Sequence, residues 1–191
     1  MITEVDSDAD LMVRVSAGDR DAFAALVDRY KDPMVSYLTR LTGNRARAED
    51  LAQESFVRLF QAAPRYSEQG KLIAFLYRIA TNLARSEDRR VRRWSLLRGR
   101  FASAHPHGVD SPQADLLRQE LHARVSEAIA ALPLAYRVPL VLHEIEGWSY
   151  EQVAQVTGAP EGTVKSRINR ARQRLKEELA PYWQSGNGGA A

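Results

Sequence analysis

The sequence predicts an all-α protein: two small helical domains joined by a flexible linker, the C-terminal one containing a helix-turn-helix. Three observations carry this. Apolar residues recur at helical spacing almost throughout, and strand alternation is nearly absent. Between Ser95 and Asp115 that pattern lapses into Arg, Gly, Ser, His and Pro, with breakers at Gly99, Pro106, Gly108 and Pro112. Residues 148–175, WSYEQVAQVTGAPEGTVKSRINRARQRL, read as a helix, a tight turn and a second helix with opposed apolar and basic faces. The expected boundaries are a first domain over 1–94, a linker over 95–117, a second domain over 118–181 and a disordered tail over 182–191, where QSGNGGAA offers too little apolar content to order.

Taken in order, Phe23, Leu26, Val27 and Tyr30 mark one amphipathic helix. After a turn at Gly43 and Asn44, Leu51, Ala52, Phe56, Leu59 and Phe60 mark another. A third spans about Lys71 to Arg92, with Leu72, Phe75, Leu76, Ile79 and Leu83 as its apolar stripe. On a different face of that helix, Arg78, Asn82, Arg85 and Arg89 line up at helical spacing. Helical periodicity returns at Leu116 and holds through Leu179, interrupted by Pro133 and Pro139.

The helix-turn-helix is specified residue by residue. Ser149 with Gln152 fits a capping box that starts a helix near Tyr150, with Val153 and Ala154 turned inward. Gly158 suits the left-handed stop, and Pro160 is placed to start the next helix. There Val164, Ile168, Ala171 and Leu175 form one narrow apolar stripe. The far side presents Lys165, Ser166, Asn169, Arg170 and Gln173, all able to hydrogen-bond base edges, with Arg167, Arg172 and Arg174 placed to reach phosphates. Such a helix fits a major groove. A solvated basic surface helix would show those arginines without the capping box, the glycine turn and the opposed faces.

Composition agrees. The chain has 191 residues and a net charge of +3, with positive charge concentrated in 85–100 and 165–176 while the first ten residues are acidic. It has no cysteine, which excludes disulfides, cysteine zinc sites and thiol redox sensing. No apolar run approaches the roughly 20 residues that span a bilayer, and the acidic start lacks a signal peptide's pattern, so a cytoplasmic protein without membrane insertion is expected. His105 and His107 flank a linker proline, and His143, Glu144 and Glu146 lie close together. Neither set has the spacing of a metal site. With no nucleophile motif and no phosphate-cradling loop, no catalytic residue, cofactor or small-molecule substrate is expected. Trp94 and Trp148 are expected to pack at domain edges.

Four segments together resemble an extracytoplasmic-function sigma factor of bacterial RNA polymerase, in the sigma-70 family. They are AEDLAQESFVRLFQ at 48–61, FLYRIATNLARSEDRR at 75–90, LPLAYRVPLVLHEIEGWSYEQVAQVTG at 132–158 and GTVKSRINRARQRL at 162–175. Phe75 departs from the tryptophan more usual there, an exchange that keeps aromatic packing. The resemblance implies that Asp50, Gln53, Glu54 and Val57, which on spacing alone could equally be a solvated face, dock on the beta-prime subunit of core RNA polymerase. It implies that the Arg78, Asn82, Arg85 and Arg89 stripe engages the minus-10 element, with Asn82 contacting a base and the arginines holding phosphates. Tyr66 is both a stacking candidate and, as aromatic residues in small helical domains usually are, a core candidate. The helix from Val164 then meets the minus-35 element.

The implied partners are core RNA polymerase through its beta-prime and beta subunits, promoter DNA and an anti-sigma factor. A relaxed linker would span only about 25 to 30 Å and a stretched one roughly 70 to 80 Å. Core enzyme holding it extended would raise the effective concentration of the second contact. Two other readings stay open on the residues alone. A stand-alone helix-turn-helix regulator would bind a palindrome without polymerase, and an adaptor would show no DNA dependence.

Overall fold

The computed structural model describes residues 6–66, 71–97 and 113–186, and among these every regular element is helical. The chain divides into two compact units, Met1–Glu87 and Asp88–Ala191. That division falls inside a helix, several residues before the expected boundary at 94.

The N-terminal unit opens with α1 (Asp8–Ser16), which the apolar pattern does not announce. Ser7 and Asp10 close a capping box at its start, and Leu11, Met12 and Val15 are buried. What fixes it is non-local. The Asp8 carboxylate accepts from Arg29 Nη1 at 2.5 Å and from the Tyr30 hydroxyl. Burial, followed by that carboxylate, pushes the Tyr30 phenol well above its ordinary value.

Helix α2 (Arg20–Thr42) starts on an Asp19 cap and ends at Gly43, whose φ of 68° is the left-handed stop. It runs on through Pro33, well beyond the apolar marks at 23–30. Its buried residues are Ala22, Leu26, Met34, Tyr37, Leu38 and Leu41, whereas Phe23, Val27 and Tyr30 are half-buried. Helix α3 (Arg45–Ala62) begins at an Asn44 cap and buries Ala48, Leu51, Ala52, Ser55, Phe56 and Leu59 against α2. A 3₁₀ turn, Ala63–Arg65, closes it.

Helix α4 spans Leu72–Leu97, five residues past the expected end at Arg92. The buried arc is wider than the predicted stripe and rotated from it. Tyr77, Ala80, Thr81 and Ala84 join Leu72, Leu76 and Leu83, while Phe75 and Ile79 are only half-buried. Ala80 and Ala84 are buried on this arc, and the buried Tyr37 hydroxyl meets Thr81 Oγ1 at 2.8 Å. That pairing satisfies both polar groups where leaving either unmet would cost free energy.

In the C-terminal unit, α5 (Gln113–Ala131) is followed by α6 (Leu134–Leu140), a π-helical turn (Val141–Ile145), α7 (Tyr150–Thr157) and α8 (Glu161–Gly186). Residues 95–97 and 113–117, expected as linker, are therefore helical, as are 182–186 of the expected tail. Residues 98–112, with His105 and His107, and 187–191 lie outside the described residues. The core joins Val138, Leu140, Val141, Leu142, Val153, Val156, Val164, Ile168 and Ala171. Arg137 is buried beside it, with Nε and Nη2 donating to the Leu132 carbonyl at 3.2 and 2.7 Å and a further bond to Ala130. Burial lowers its pKa.

Candidate nucleic-acid interface

The helix-turn-helix forms as its sequence dictates. Ser149 Oγ accepts from Gln152 N at 3.2 Å, and Gln152 Oε1 accepts from Ser149 N at 2.9 Å. At the other end Gly158, with φ 68°, donates to the Ala154 carbonyl at 2.9 Å. Pro160 sits at the N-cap of α8 rather than inside its first turn. Its carbonyl accepts from Thr163 and Val164 at 2.9 and 3.0 Å. Lacking an N–H, proline gives up nothing there.

Val164, Ile168 and Ala171 are fully buried and Leu175 is half-buried, which fixes the rotation of α8. At about 100° per residue, Ser166, Asn169, Arg170 and Gln173 form the crest opposite the core. Lys165 lies on one flank with Arg172 rather than on the crest, and Arg167 and Arg174 lie on the other. All eight are exposed except Arg167, which is half-buried. Lys165, Arg167 and Arg170 make no hydrogen bond or ion pair among the described residues. Two other cations are already engaged. Arg172 Nε donates to Glu144 at 2.9 Å, and the Arg174 guanidinium lies 5.1 Å over the Tyr136 ring.

The segment before α7 braces this arrangement. Pro139 has no N–H to continue α6, and two residues later the chain widens into the π turn, where Glu146 N donates to the Val141 carbonyl at 3.0 Å. Gly147, with φ 73°, reverses the chain. His143 Nδ1 meets the Trp148 carbonyl at 2.7 Å, and its ring stacks on Tyr150 with centroids 4.4 Å apart. His143 thus clamps a loop, and the exposed Glu144 holds an arginine. Sequence reasoning missed Glu144 and Tyr136 because each acts on α8 from far along the chain, where periodicity carries no signal.

On α4 the Arg78, Asn82, Arg85 and Arg89 stripe lies diametrically opposite the buried arc. Asn82 is exposed. Its Oδ1 faces Arg85 Nη1 at 3.5 Å, and its carbonyl accepts from Ser86 Oγ at 2.9 Å. Arg78 lies 5.4 Å over the Phe75 ring, and Tyr66 packs on the same ring at 5.2 Å. Tyr66 is half-buried, so packing is its position here. Of the loop between Tyr66 and Lys71, residues 67–70 lie outside the described residues.

On α3, Asp50, Gln53, Glu54 and Val57 are all exposed on one face, opposite Leu51, Ser55 and Leu59. Arg47 donates to Asp50 at 3.3 Å and Arg58 to Glu54 at 2.8 Å, while Val57 is 44% exposed at the centre. An apolar residue ringed by carboxylates and an amide has the composition of an interface core with a polar rim.

Comparison with known proteins agrees with both units. Residues 26–94 match Sigma-70 region 2, and residues 122–175 match Sigma-70, region 4. The chain is 34% identical to the RNA polymerase sigma-H factor of Pseudomonas aeruginosa over 95% of its own length and 97% of that protein. It is also 34% identical to the ECF RNA polymerase sigma factor SigW of Bacillus subtilis, covering 87% of this chain and 93% of that one. Among solved structures it resembles the sigma factor RpoE in its complex with the anti-sigma factor NepR from Bartonella quintana. There the TM-score is 0.66 and the identity 26%, over 83% of this chain and 96% of that one. With its helical pair of units, its opposed-face recognition helix and relatives matched over nearly their full length, the chain belongs to the extracytoplasmic-function sigma factors of RNA polymerase.

Proposed function

We propose that the two charged helices divide promoter recognition between them. Helix α8 reads the minus-35 element in the major groove, with Ser166, Asn169 and Arg170 at base edges, Gln173 beside them, and Lys165, Arg167, Arg172 and Arg174 along the phosphates. On α4, Asn82 meets an unpaired base of the minus-10 element while Arg78, Arg85 and Arg89 hold the opened strand. Tyr66 supports that surface through Phe75. The α3 face of Asp50, Gln53, Glu54 and Val57 docks on a basic helix of the beta-prime subunit, and the C-terminal unit meets the beta subunit. As sigma factors are non-catalytic subunits, this chain contributes binding energy and no chemical step.

The observation that carries the reading is the exposed crest of α8, set opposite the buried Val164, Ile168 and Ala171 after a helix that starts on the Ser149 capping box and stops at Gly158. Neither a stand-alone regulator nor an adaptor accounts for a second, separate basic stripe on α4. An anti-sigma factor that covers these faces is the regulator to look for. A cytoplasmic site of action follows from the polymerase partner, and no helix among the described residues is long and apolar enough to cross a membrane.

The test is reconstitution with sigma-free core polymerase on genomic DNA, mapping transcript 5′ ends with and without the protein. Protein-dependent starts sharing two upstream elements are expected. Arg170→Ala should weaken discrimination at the minus-35 element by about 1–3 kcal/mol and leave core binding intact. Loss of core binding in that variant, or starts that do not depend on the protein, would overturn the assignment.

A further inference from the structure

We propose that Glu144 is a positioning residue for base readout: through Arg172 it fixes which end of the Asn169 amide faces the groove. This rests on reading α8 as the helix that meets base edges. Glu144 stands on the π turn, outside the helix-turn-helix. That turn keeps Val141 and Leu142 fully buried while carrying Glu144 out to solvent beside α8. The carboxylate accepts from Arg172 Nε at 2.9 Å and from Arg172 Nη2 as well. The remaining arm of the same guanidinium, Nη1, lies 3.5 Å from Oδ1 of Asn169 on the crest.

Arg172 and Glu144 have side-chain exposures of 50% and 39%, so the ion pair contributes little to stability. Its consequence is geometric. A guanidinium is a planar, rigid fork. With Nε and Nη2 both spent on Glu144, the direction of Nη1 is set. Oδ1 of Asn169 then turns toward Nη1, and the Nδ2 amino group is left facing outward. An unpinned amide presents either its oxygen or its amino group, but a pinned one offers donors. Donors match acceptors, the guanine N7 and O6, the thymine O4 and the adenine N7, and mismatch the amino groups of cytosine and adenine, so cytosine, which shows no acceptor in the groove, is disfavoured most. The relay from Glu144 through Arg172 to Asn169 therefore sets a base preference from a residue that touches no DNA. It also keeps Arg172 on the flank of α8 beside the phosphates rather than over the crest.

The experiment uses holoenzyme reconstituted with core polymerase and a promoter set carrying each of the four bases at every minus-35 position. The proteins are the wild type, Glu144→Ala, Glu144→Gln, Arg172→Ala and the double alanine variant. Glu144→Ala is expected to lose about threefold to tenfold of discrimination at the one base pair facing Asn169, with the order of preference elsewhere unchanged. Arg172→Ala should reproduce that loss, and the double variant should add nothing to it. Glu144→Gln, whose amide oxygen still accepts from Arg172, should retain most of the preference. Thermal melts should coincide across the set, which separates positioning from a structural role.

A uniform change at all positions in Glu144→Ala would mean that only a negative charge near DNA had been removed, and would overturn the relay. Additive losses in the double variant would do the same. Should the wild type itself show no minus-35 preference, α8 would fall as the reading helix and the relay with it. Preserved wild-type discrimination with an unaffected Glu144→Ala would remove Glu144 alone.

Discussion

Helices α4 and α8 both carry a basic stripe opposite a buried one, yet they are seated by different means. The turn and caps of α8 are written within fifteen residues of sequence, from Ser149 to Thr163. What seats α4 lies far away. Thr81 meets Tyr37, and Glu87 receives Arg47 Nε and Nη2 at 2.8 and 2.7 Å. Their charged faces differ in the same sense. On α8 the crest cation Arg170 makes no hydrogen bond or ion pair among the described residues, the engaged cations lie on the flanks, and only the neutral Ser166 and Gln173 of the crest donate within the helix, to Thr163 and Glu177. On α4 the stripe is coupled to its own helix, Arg78 over Phe75 and Arg85 toward Asn82. A rigid duplex groove is suited by a fixed crest whose cation, Arg170, is uncommitted. An opened strand has no fixed shape, and a face whose side chains exchange internal partners for nucleic acid can follow it.

The largest effect should come from unseating α8. Ile168 is fully buried beneath the crest, and Ile168→Ala should cost about 2–5 kcal/mol, read as a lowered urea midpoint by helical ellipticity. Leu76→Ala, equally buried under α4, should cost a similar amount while sparing minus-35 discrimination in whatever protein remains folded. Loss of that discrimination in Leu76→Ala would show that the two helices are not seated separately.

Next is the turn. Both α2 and α7 end at a glycine with φ 68°, Gly43 and Gly158. A Cβ at Gly158 would meet no atom within 4 Å, so the cost of Gly158→Ala is that of left-handed backbone alone, about 1–2 kcal/mol. Because α8 follows within three residues, the same variant should tilt the crest and weaken minus-35 binding beyond what its stability loss explains. A variant destabilised by that amount but with undiminished binding per folded molecule would show that the turn sets stability only.

These differences also decide what was legible in the sequence. The helix-turn-helix could be read almost completely because capping box, glycine stop and apolar stripe are local signals. The α4 stripe was legible as spacing, but its buried arc was misjudged. Alanines at 80 and 84 and a threonine at 81 read as neutral, although all three are buried and Thr81 is met by Tyr37 from 44 residues away. Helix α1 escaped notice although Ser7 and Asp10 form a capping box, since its anchor is Asp8 on Arg29 and Tyr30, more than twenty residues on. Glu144 escaped for the same reason, 28 residues before its partner. Helices α4 and α8 run on past 94 and 181, to Leu97 and Gly186, because helix continues beyond their last periodic apolar residue.

The smallest effect separates two helix starts by their chemistry. Asp19 caps α2 by accepting from the backbone N–H groups of Ala22 and Asp21 at 3.0 and 2.9 Å. Ser149 caps α7 with a group that does not titrate. The bond from Ala22, followed by that from Arg14, holds the Asp19 carboxyl below its ordinary value. A depressed folded value means that the stabilisation is fully present above the unfolded value of about 3.9 and is lost as pH falls through the lowered one. Asp19→Asn keeps an accepting oxygen but cannot titrate, so the stability difference between wild type and this variant should shrink on acidification below about pH 4. Ser149→Ala should instead lie below wild type by the same margin at every pH. Urea midpoints at a series of pH values measure both, and the many other carboxylates cancel in each difference. Parallel curves for Asp19→Asn and wild type would mean that the cap works through geometry alone and that its charge, unlike its oxygen, contributes nothing to α2.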